Sequence, residues 1–413
     1  MNTVAQPTHN RKEIQMSLKH SISETSAIRN FIIGFSFALY FSKPVFRHIE
    51  EFINGAVQAG YRGKVIDIVT LSQTLCHRTT YEKFLSKGVW NQEYAWRAIR
   101  KASVATAYQK AQQTKQPLFV IHDDTISEKT KPSSKAKRPI AEAAFHHSHL
   151  DNKKVWGHQL LTTLLSCLGV VLPYFIERYE RNGESKIDKV CRVVTSLPVA
   201  TTPAYGLCDS WFTCQKVIEA HFQKGYHLIG ALKTNRIIYP QGLRIQIKEF
   251  EQYIQENDVH LVTVGHSSYW VYRYEGALNG IDNAVVIMCW PEDAFKKPHC
   301  LHAFLCTDTE LTTQIILEYY SQRWPIEIFF RQAKGNLGLN KYQVRSAQAI
   351  DRMLLLNALT YLYCAIGTGS YQPLGKGLKK VRSIIQRDKV AMIYKAAKDG
   401  VPIEDIFYKL KIA

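Results

Sequence analysis

Five residues with side chains suited to phosphate and metal-ion chemistry recur at helical spacing in the last quarter of the chain. They are Tyr320, Arg323, Glu327, Arg331 and Lys334. At about 100° per residue these positions return to nearly the same side of an α-helix, which sets one carboxylate among three cations and a phenol. Carboxylates hold divalent metal ions, and Arg and Lys side chains bind phosphate oxygens. The spacing therefore predicts a helical face that binds phosphates and a metal ion.

The other side of this predicted helix is apolar, and an apolar face anchors a helix in a protein core. It is formed by large apolar side chains, namely Ile315, Ile316, Trp324, Ile326, Phe329 and Phe330. The two faces together predict one continuous helix over residues 311–335. The alternative interpretation of the polar face is a solvated stripe of charge, which is the usual role of such a run.

The polar face also resembles a known signature. Tyr320, Arg323, Glu327 and Lys334 match the pattern Y-x-x-R-x-x-x-E-x-x-x-x-x-x-K, which occurs in the third-acid region of bacterial insertion-sequence transposases of the D-D-E type, the YREK-signature group. The resemblance implies that Glu327 is a catalytic acid and that Tyr320, Arg323 and Lys334 contact DNA phosphates near the cut end. Arg331 shares the face but lies outside the signature, so we rank it below the others as a DNA contact.

A D-D-E site needs two further acids at the ends of core strands, because two cations must be held by carboxylates that converge from separate elements. The apolar run 118–121 is typical of a buried strand, which we place at 118–123. Asp123 and Asp124 follow this run, and neighbouring strand residues point to opposite faces, so one of the two faces the metal ions. The resembled families carry D-x-T here, which selects Asp123 with Thr125 and leaves Asp124 as the alternative.

The second candidate acid, Asp209, ends a short predicted strand at 204–209 and precedes a predicted helix at 212–224. A helix N-cap is the alternative interpretation of this residue. Asp123, Asp209 and Glu327 are therefore the predicted catalytic acids and metal ligands. The resemblance implies two Mg²⁺ ions, for which Mn²⁺ is expected to substitute. In this two-metal scheme one ion activates water or a DNA 3′-hydroxyl, and the other stabilises the leaving oxygen.

The predicted fold class is α/β, with a ribonuclease-H-like mixed sheet flanked by helices. The 118 positions from Asp209 to Glu327 are too many for one strand and a connection. Alternating stretches bounded by Gly and Asn predict a β-rich insertion at about 236–300. We expect three parts in all: a helical DNA-binding region at 1–116, the catalytic domain at 117–345 and a helical C-terminal region at 346–413.

The composition indicates a polyanionic partner. The net charge is +18 and the pI is about 9.4, which is expected of a protein that neutralises a polyphosphate. A basic membrane-surface protein would share this charge but needs an anchor, and we predict none. The uncharged run 30–42 is too short to span a bilayer, and Thr, Ser, Gly and Pro interrupt the longer apolar stretch 160–175. We therefore expect a cytoplasmic, nucleoid-associated protein with no membrane partner.

Two segments outside the signature are predicted to contact DNA. Residues 1–117 carry 16 Lys and Arg against seven Asp and Glu, and two short helical patterns that meet near His77 are compatible with a helix-turn-helix, with Arg78 and Lys83 on its second helix. A purely structural helix pair is the alternative. The basic loop 128–138, which includes Lys129 and Lys131, follows the first acid. Its cations are expected beside the metal site, where they would hold a DNA backbone.

The predicted function is that of a DNA transposase, which cleaves insertion-sequence ends and joins the 3′-hydroxyl to target DNA. Its partner would be double-stranded DNA, both the element ends and the target. Because two ends must be paired, we expect a homodimer on DNA. Two alternatives remain: a structure-selective nuclease that uses the same acids, and a non-catalytic DNA-binding regulator derived from a transposase.

Overall fold

The computed structural model describes residues 27–72, 76–136, 139–148 and 153–410. The chain divides into two compact units. One consists of Met1–Ala98 and Lys334–Ala413, and the other of Ile99–Ala333.

A mixed sheet forms the centre of the Ile99–Ala333 unit. Its strands are β1 (Leu118–Glu128), β2 (Ala144–Ser148), β3 (Lys153–Cys167), β4 (Val170–Arg178), β5 (Ala204–Cys208), β6 (His227–Leu232), β7 (Ile237–Ile238), β8 (Ile245–Gln246), β9 (His260–Val264), β10 (Ser267–Leu278), β11 (Ile281–Pro291) and β12 (His302–Cys306). They follow the order β2-β3-β1-β5-β6-β12-β11-β10-β7-β8, with β4 paired to β3 and β9 paired to β10.

The first half of this sheet has the predicted ribonuclease-H-like arrangement. Strands β1, β5 and β6 are parallel neighbours, and β3 and β4 continue the sheet antiparallel on the other side of β1. The apolar run 118–121 is fully buried, as expected of a strand in a sheet that is covered on both faces. The predicted α/β fold, a mixed sheet flanked by helices, is therefore confirmed.

The segment between β6 and β12 extends the same sheet. Strand β12 pairs with β6 on one side and with β11 on the other, and β10 pairs with β11. Trp290, on β11, is completely buried, and its indole N–H donates to Glu251 at 2.7 Å. These strands lie where the sequence predicts a β-rich insertion.

Strand β1 is longer than predicted. It runs to Glu128, whereas the sequence suggests an end at residue 123. The cause is its antiparallel neighbour β3, which stays paired with it from Phe119 through to Glu128. The polar residues Asp123 and Asp124 therefore lie inside the strand. The basic loop after Glu128 starts five residues past Asp123, roughly 17 Å along the strand. The expected position of its cations beside the metal site stays a prediction.

The helices of this unit begin with α6 (Gln92–Thr114), which enters it from the other unit. The remaining ones are α7 (Lys186–Thr195), α8 (Gln215–Phe222), α9 (Ile247–Phe250), α10 (Thr313–Ser321) and α11 (Pro325–Leu337), the last of which continues into the other unit. Short 3₁₀ turns lie at Pro240–Gly242, Glu251–Tyr253, Glu256–Asp258 and Glu292–Ala294.

The predicted single helix over residues 311–335 is in fact two helices. Helix α10 ends at Ser321 and α11 begins at Pro325. Proline lacks the backbone N–H that a helix interior needs, and its ring disfavours helical geometry at the preceding residue, so it begins a helix more readily than it continues one. Trp324 lies at this break and is 61% exposed. Its assignment to the buried apolar face is therefore wrong, whereas Ile316, Ile326, Phe329 and Phe330 are buried.

The Met1–Ala98 and Lys334–Ala413 unit is helical in its described part. Its helices are α1 (Ala27–Gly34), α2 (Phe37–Tyr40), α3 (Lys43–Val57), α4 (Val65–Leu71), α5 (Arg78–Ser86), α12 (Ala347–Ile366), α13 (Leu374–Lys398) and α14 (Ile403–Leu410). Helix α12 has the length and the apolar composition of a membrane span, and 89% of its apolar window is buried inside the protein. The core helix of a soluble protein has these same properties.

Arg352 is a buried cation in helix α12. It is only 2% exposed, and its guanidinium lies 4.4 Å from the ring centre of Trp90. It donates four hydrogen bonds of 2.7–3.2 Å to the carbonyl oxygens at and beyond the end of α5, those of Phe84, Leu85, Gly88 and Trp90. A guanidinium satisfies carbonyls that a helix leaves unpaired at its C-terminus, so Arg352 joins α12 to α5.

Candidate active site

Asp123 and Asp209 lie side by side at one edge of the parallel strands. His122 on β1 and Cys208 on β5 are the last residues that the two strands pair, and each acid is the next residue along the chain. Neighbouring strands are about 4.8 Å apart. Both acids therefore lie where the pairing of β1 with β5 ends.

The backbone after β5 fixes the orientation of Asp209. Its Oδ1 accepts the N–H groups of Trp211 at 2.9 Å and of Phe212 at 3.3 Å. The N-cap of helix α8 is Cys214, so Asp209 orders the turn before the helix and does not occupy the N-cap position itself. The interpretation of Asp209 as the helix N-cap is therefore wrong, although its side chain does accept backbone N–H groups before the helix.

Arg323 connects the first acid to the third. It donates from Nη1 to Asp123 Oδ2 at 2.7 Å and from Nη2 to Glu327 Oε1 at 3.2 Å. The side chains of Arg323 and Asp123 are 19% and 14% exposed, whereas that of Glu327 is 42% exposed. Because Arg323 lies in the turn between α10 and α11, the break at Pro325 sets its distance to both carboxylates.

The pKa of Asp123 is set by burial and by two neighbouring charges. Burial raises the pKa of Asp123 to about 7, the charge of Arg323 opposes this rise, and the nearby charge of Asp209 adds to it. A second cation close to these acids would lower that pKa, since it stabilises the ionised form.

The donor chemistry of the three acids fits a divalent cation. All three offer carboxylate oxygens, the ligands that Mg²⁺ and Mn²⁺ prefer in proteins, from separate elements. Their oxygens do not form a single compact cluster. Among the described residues, the group of possible ligands whose atoms all lie within 4.8 Å of one another is His48, Glu51 and Cys76, in the other unit. The assignment of Asp123, Asp209 and Glu327 as metal ligands stays a prediction.

Asp124 belongs to a different set of contacts. Its Oδ2 accepts from Lys186 Nζ at 2.8 Å, and its Oδ1 accepts from Gln159 at 2.6 Å. Of the two adjacent aspartates, it is Asp123 that shares a cation with Glu327.

Comparison with known protein families identifies the family of this chain. Residues 115–363, more than half of the chain and all three acids, match a family model described as the transposase DDE domain. The chain belongs to this family.

The chain of this transposase family is also similar to a cryo-electron-microscopy structure of the piggyBac transposase synaptic complex with hairpin DNA. The sequence identity is 11% and the TM-score is 0.44, over 94% of this chain and 84% of that one. A likeness this distant carries no inference about substrate or mechanism. No curated protein matches the chain.

The other residues of the predicted signature lie on both sides of the helix break. Tyr320 is near the end of α10 and packs on Phe304 with ring centres 4.5 Å apart. Burial raises the pKa of Tyr320 above its usual range, so the phenol stays protonated and can donate a hydrogen bond. Arg331 is exposed on α11, and Lys334 follows on the same helix, where the other unit begins.

The remaining predicted DNA contacts are divided between the two units. Arg78 and Lys83 are exposed on α5, where Arg78 is paired with Glu82 at 3.2 Å. Lys131 lies 5.3 Å from the ring centre of Phe145, and Lys129 follows the end of β1. Residues 137 and 138 of the same loop lie outside the described residues. No observation here tests these contacts, which stay predictions.

Three residues beside the acids were not predicted. Trp211 is 51% exposed, two residues after Asp209, and the Nζ atoms of Lys186 and Lys233 lie 4.6 and 5.2 Å from its ring centre. The exposed indole could have been noticed from its place directly after the second acid. Lys186 gives no local signal, because it is 62 residues from its partner Asp124.

A buried histidine pair supports β1 directly behind Asp123. His221 Nδ1 lies 2.8 Å from the carbonyl oxygen of Val217, which can only accept, so this nitrogen carries the proton. His221 Nε2 must then accept from His122 Nε2 at 3.3 Å, and His122 Nδ1 accepts from the hydroxyl of Thr163 at 2.9 Å. Burial lowers the pKa of both imidazoles, that of His221 to about 4. Both rings are therefore neutral at pH 7.

Proposed function

We propose that the chain is a DNA transposase of the YREK-signature group, which cleaves the ends of an insertion sequence and joins the exposed 3′-hydroxyl to target DNA. The observation that supports this proposal is that three acids, in the order expected of a D-D-E site, lie on elements connected by strand pairing and by one arginine. Asp123 and Asp209 follow the last paired residues of parallel strands, and Glu327 is joined to Asp123 through Arg323.

The three acids would hold divalent cations, Mg²⁺ or Mn²⁺. When bound, such cations supply a nucleophile at neutral pH and stabilise the leaving 3′ oxygen of an in-line displacement at phosphorus. Asp209 is already oriented by two backbone N–H groups. Less ordering is therefore needed at this acid when the substrate binds.

The cations and the phenol of the site would bind the DNA. Arg323 offers a planar fork of donors that matches phosphate oxygens, and Tyr320 offers a protonated hydroxyl. The net charge of +18 supports a polyanionic substrate. We propose that double-stranded DNA is the substrate, that two copies of the chain hold the two ends, and that the protein acts in the cytoplasm on the nucleoid.

A strand-cleavage and strand-joining assay tests this proposal. Duplex DNA from the flanks of the protein's own gene is incubated with Mg²⁺ and with the wild type, the Glu327→Gln variant or the Glu318→Gln variant. Glu318 is an exposed glutamate on α10 and serves as the matched control. We expect cleavage and joining by the wild type and the control, and neither by Glu327→Gln.

The other outcomes separate the alternatives. Cleavage without joining would indicate a nuclease. DNA binding without chemistry in any of the three proteins would indicate a regulator, and both results would overturn the proposal.

A further inference from the structure

Four cations line a cavity in the unit formed by Met1–Ala98 and Lys334–Ala413. The cavity has a volume of about 440 Å³ and is lined by Arg62, Lys64, Lys334 and Lys341. The other lining residues are uncharged. A concave surface lined by several cations concentrates anions.

The loop that carries Arg62 and Lys64 is fixed through its backbone. The carboxylate of Asp67 accepts the N–H groups of Arg62 at 2.9 Å and of Lys64 at 3.1 Å. These two bonds occupy one oxygen of Asp67 and turn the loop before α4. The side chains of Arg62 and Lys64 are therefore presented from an ordered backbone.

Two glycines, Gly63 and Gly338, allow a close backbone contact between two segments that line the cavity. A Cβ atom on Gly63 would lie 2.6 Å from the carbonyl oxygen of Gly338, and one on Gly338 would lie 2.4 Å from Gly63 Cα. Both residues also have positive φ, +86° and +61°, a conformation that favours glycine. The chain after α3 thus contacts the chain after α11 backbone to backbone, which keeps Arg62 and Lys64 beside Lys334 and Lys341.

Tyr61 lines the same cavity and has an unsatisfied hydroxyl. The residue is 8% exposed, and its hydroxyl has no hydrogen-bond partner among the described residues. Buried polar groups are nearly always paired in native proteins, so an unpaired one points to a missing partner. A phosphate oxygen in the cavity would be an acceptor for this hydroxyl.

We propose that this cavity binds backbone phosphates of DNA. The inference rests on the proposed function and adds Arg62, Lys64 and Lys341 to the residues that contact the substrate. Four cations around an open space of this size suit consecutive phosphates of a strand better than a single small anion. Lys334, which the signature assigns to DNA, is one of the four, so the cavity would continue the DNA contact of that residue.

The salt dependence of DNA binding tests the proposal, because each phosphate contact adds about 0.9 to the slope of log K against log salt. Binding of a duplex from the flanks of the gene is followed by fluorescence anisotropy from low to moderate salt. We compare the wild type, the double variant Arg62→Ala with Lys341→Ala, and Lys43→Ala. Lys43 is an exposed lysine of the same unit that does not line the cavity.

We expect the double variant to lose about two units of slope and to bind on the order of 10- to 100-fold more weakly near 0.1 M salt, with an unchanged melting temperature. Lys43→Ala should keep the wild-type slope. An unchanged slope in the double variant, with the wild type bound normally, would overturn the inference alone. Failure of the wild type to bind DNA would overturn both the inference and the proposed function.

A labelling experiment on the unaltered protein gives a second readout. An amine-reactive reagent modifies exposed lysines, and mass spectrometry measures protection by the same duplex. Protection of Lys64, Lys334 and Lys341 without protection of Lys43 supports the inference. Equal labelling with and without bound DNA would overturn it, and so would full protection by inorganic phosphate alone, since the cavity would then be a site for a small anion.

Discussion

Arg323 and Asp123, 200 residues apart in the chain, form a 2.7 Å ion pair. The same guanidinium also donates to Glu327 at 3.2 Å. In this structure an arginine thus supplies the positive charge between two acids that are proposed to hold metal ions. Its charge lowers the pKa of Asp123 against the stronger effect of burial, which leaves that pKa at about 7.

The ion pair predicts how metal binding depends on pH. A metal ion must displace the proton of Asp123, so the Mn²⁺ affinity of the wild type should rise with pH through about 7. Replacing Arg323 by Ala removes a charge that lowers this pKa, so the midpoint should move to higher pH. Calorimetric titration with Mn²⁺ at several pH values measures the shift. Arg331→Ala, an exposed change on α11, serves as the control and should leave the midpoint unchanged. Equal midpoints in all three proteins would show that the Arg323–Asp123 ion pair does not influence the pKa of Asp123.

The buried histidine pair predicts a loss of stability in acid. His221 has a pKa of about 4 in the folded protein and about 6.5 when unfolded. The unfolded chain therefore binds more protons between these values, so the contribution is fully present above pH 6.5 and is lost as the pH falls toward 4. Its size is about 3 kcal/mol.

Urea unfolding between pH 4.5 and 7 measures this loss. Asp123 has the opposite sign, because its pKa is raised and its contribution is lost as the pH rises toward 7. The experiment is therefore done in an Asp123→Asn background. Addition of His221→Gln should reduce the pH dependence by the contribution of His221, whereas His122 and His158, whose pKa values burial also lowers, keep their own contributions. An equally steep dependence with and without His221 would contradict the assignment.

Replacement of Gly206 on β5 is predicted to destabilise the fold, because this residue lies against the His122–His221 pair. A Cβ atom there would lie 2.4 Å from His221 Nε2 and 2.9 Å from Leu228. Gly206→Ala should therefore destabilise the fold by about 1–3 kcal/mol. The control is Gly375→Ala in helix α13, where an added Cβ meets nothing within 4 Å, and this variant should be at least as stable as the wild type. Thermal denaturation compares the two, and equal melting temperatures would show that β5 adjusts to the added methyl group.

Arg352 is predicted to stabilise the helical unit. Its replacement by Met removes the hydrogen bonds to four carbonyl oxygens, of which that of Phe84 keeps the indole N–H of Trp90 as a donor. This loss should cost about 3 kcal/mol or more. Lys should restore only part of this, since one ammonium group cannot reach as many acceptors as a planar guanidinium. Arg387→Met, an exposed change on α13, should have little effect on the melting temperature. A similar decrease in melting temperature in both variants would mean that the hydrogen bonds of Arg352 do not stabilise the unit.

The sequence predicts the strands next to Asp123 and Asp209 well, because their signals are local. The apolar run 118–121 indicates a buried strand, and the strand and helix on either side of Asp209 follow from short patterns of the same kind. Pro325 also indicates a break, whereas the regular spacing from Tyr320 to Lys334 indicates one helix. The structure follows the proline, because its ring and its missing N–H disfavour a continuous helix.

Other features depend on partners that are distant in the chain. The extension of β1 beyond Asp123 is imposed by its pairing with β3. The pairing of Asp124 with Lys186 and the contact of Gly63 with Gly338 join residues that no local pattern connects. Such contacts require the folded chain, and they include the walls of the cation-lined cavity.

The most direct test of the account compares the two adjacent aspartates. Asp123→Asn and Asp124→Asn differ by one position in one strand, yet only Asp123 shares a cation with Glu327. Mg²⁺-dependent cleavage and joining of element-end DNA are measured for both variants and the wild type. We predict that Asp123→Asn loses cleavage by at least about 1,000-fold, whereas Asp124→Asn still cleaves and joins DNA. Full activity of Asp123→Asn, or loss of chemistry in Asp124→Asn alone, would contradict the proposed site.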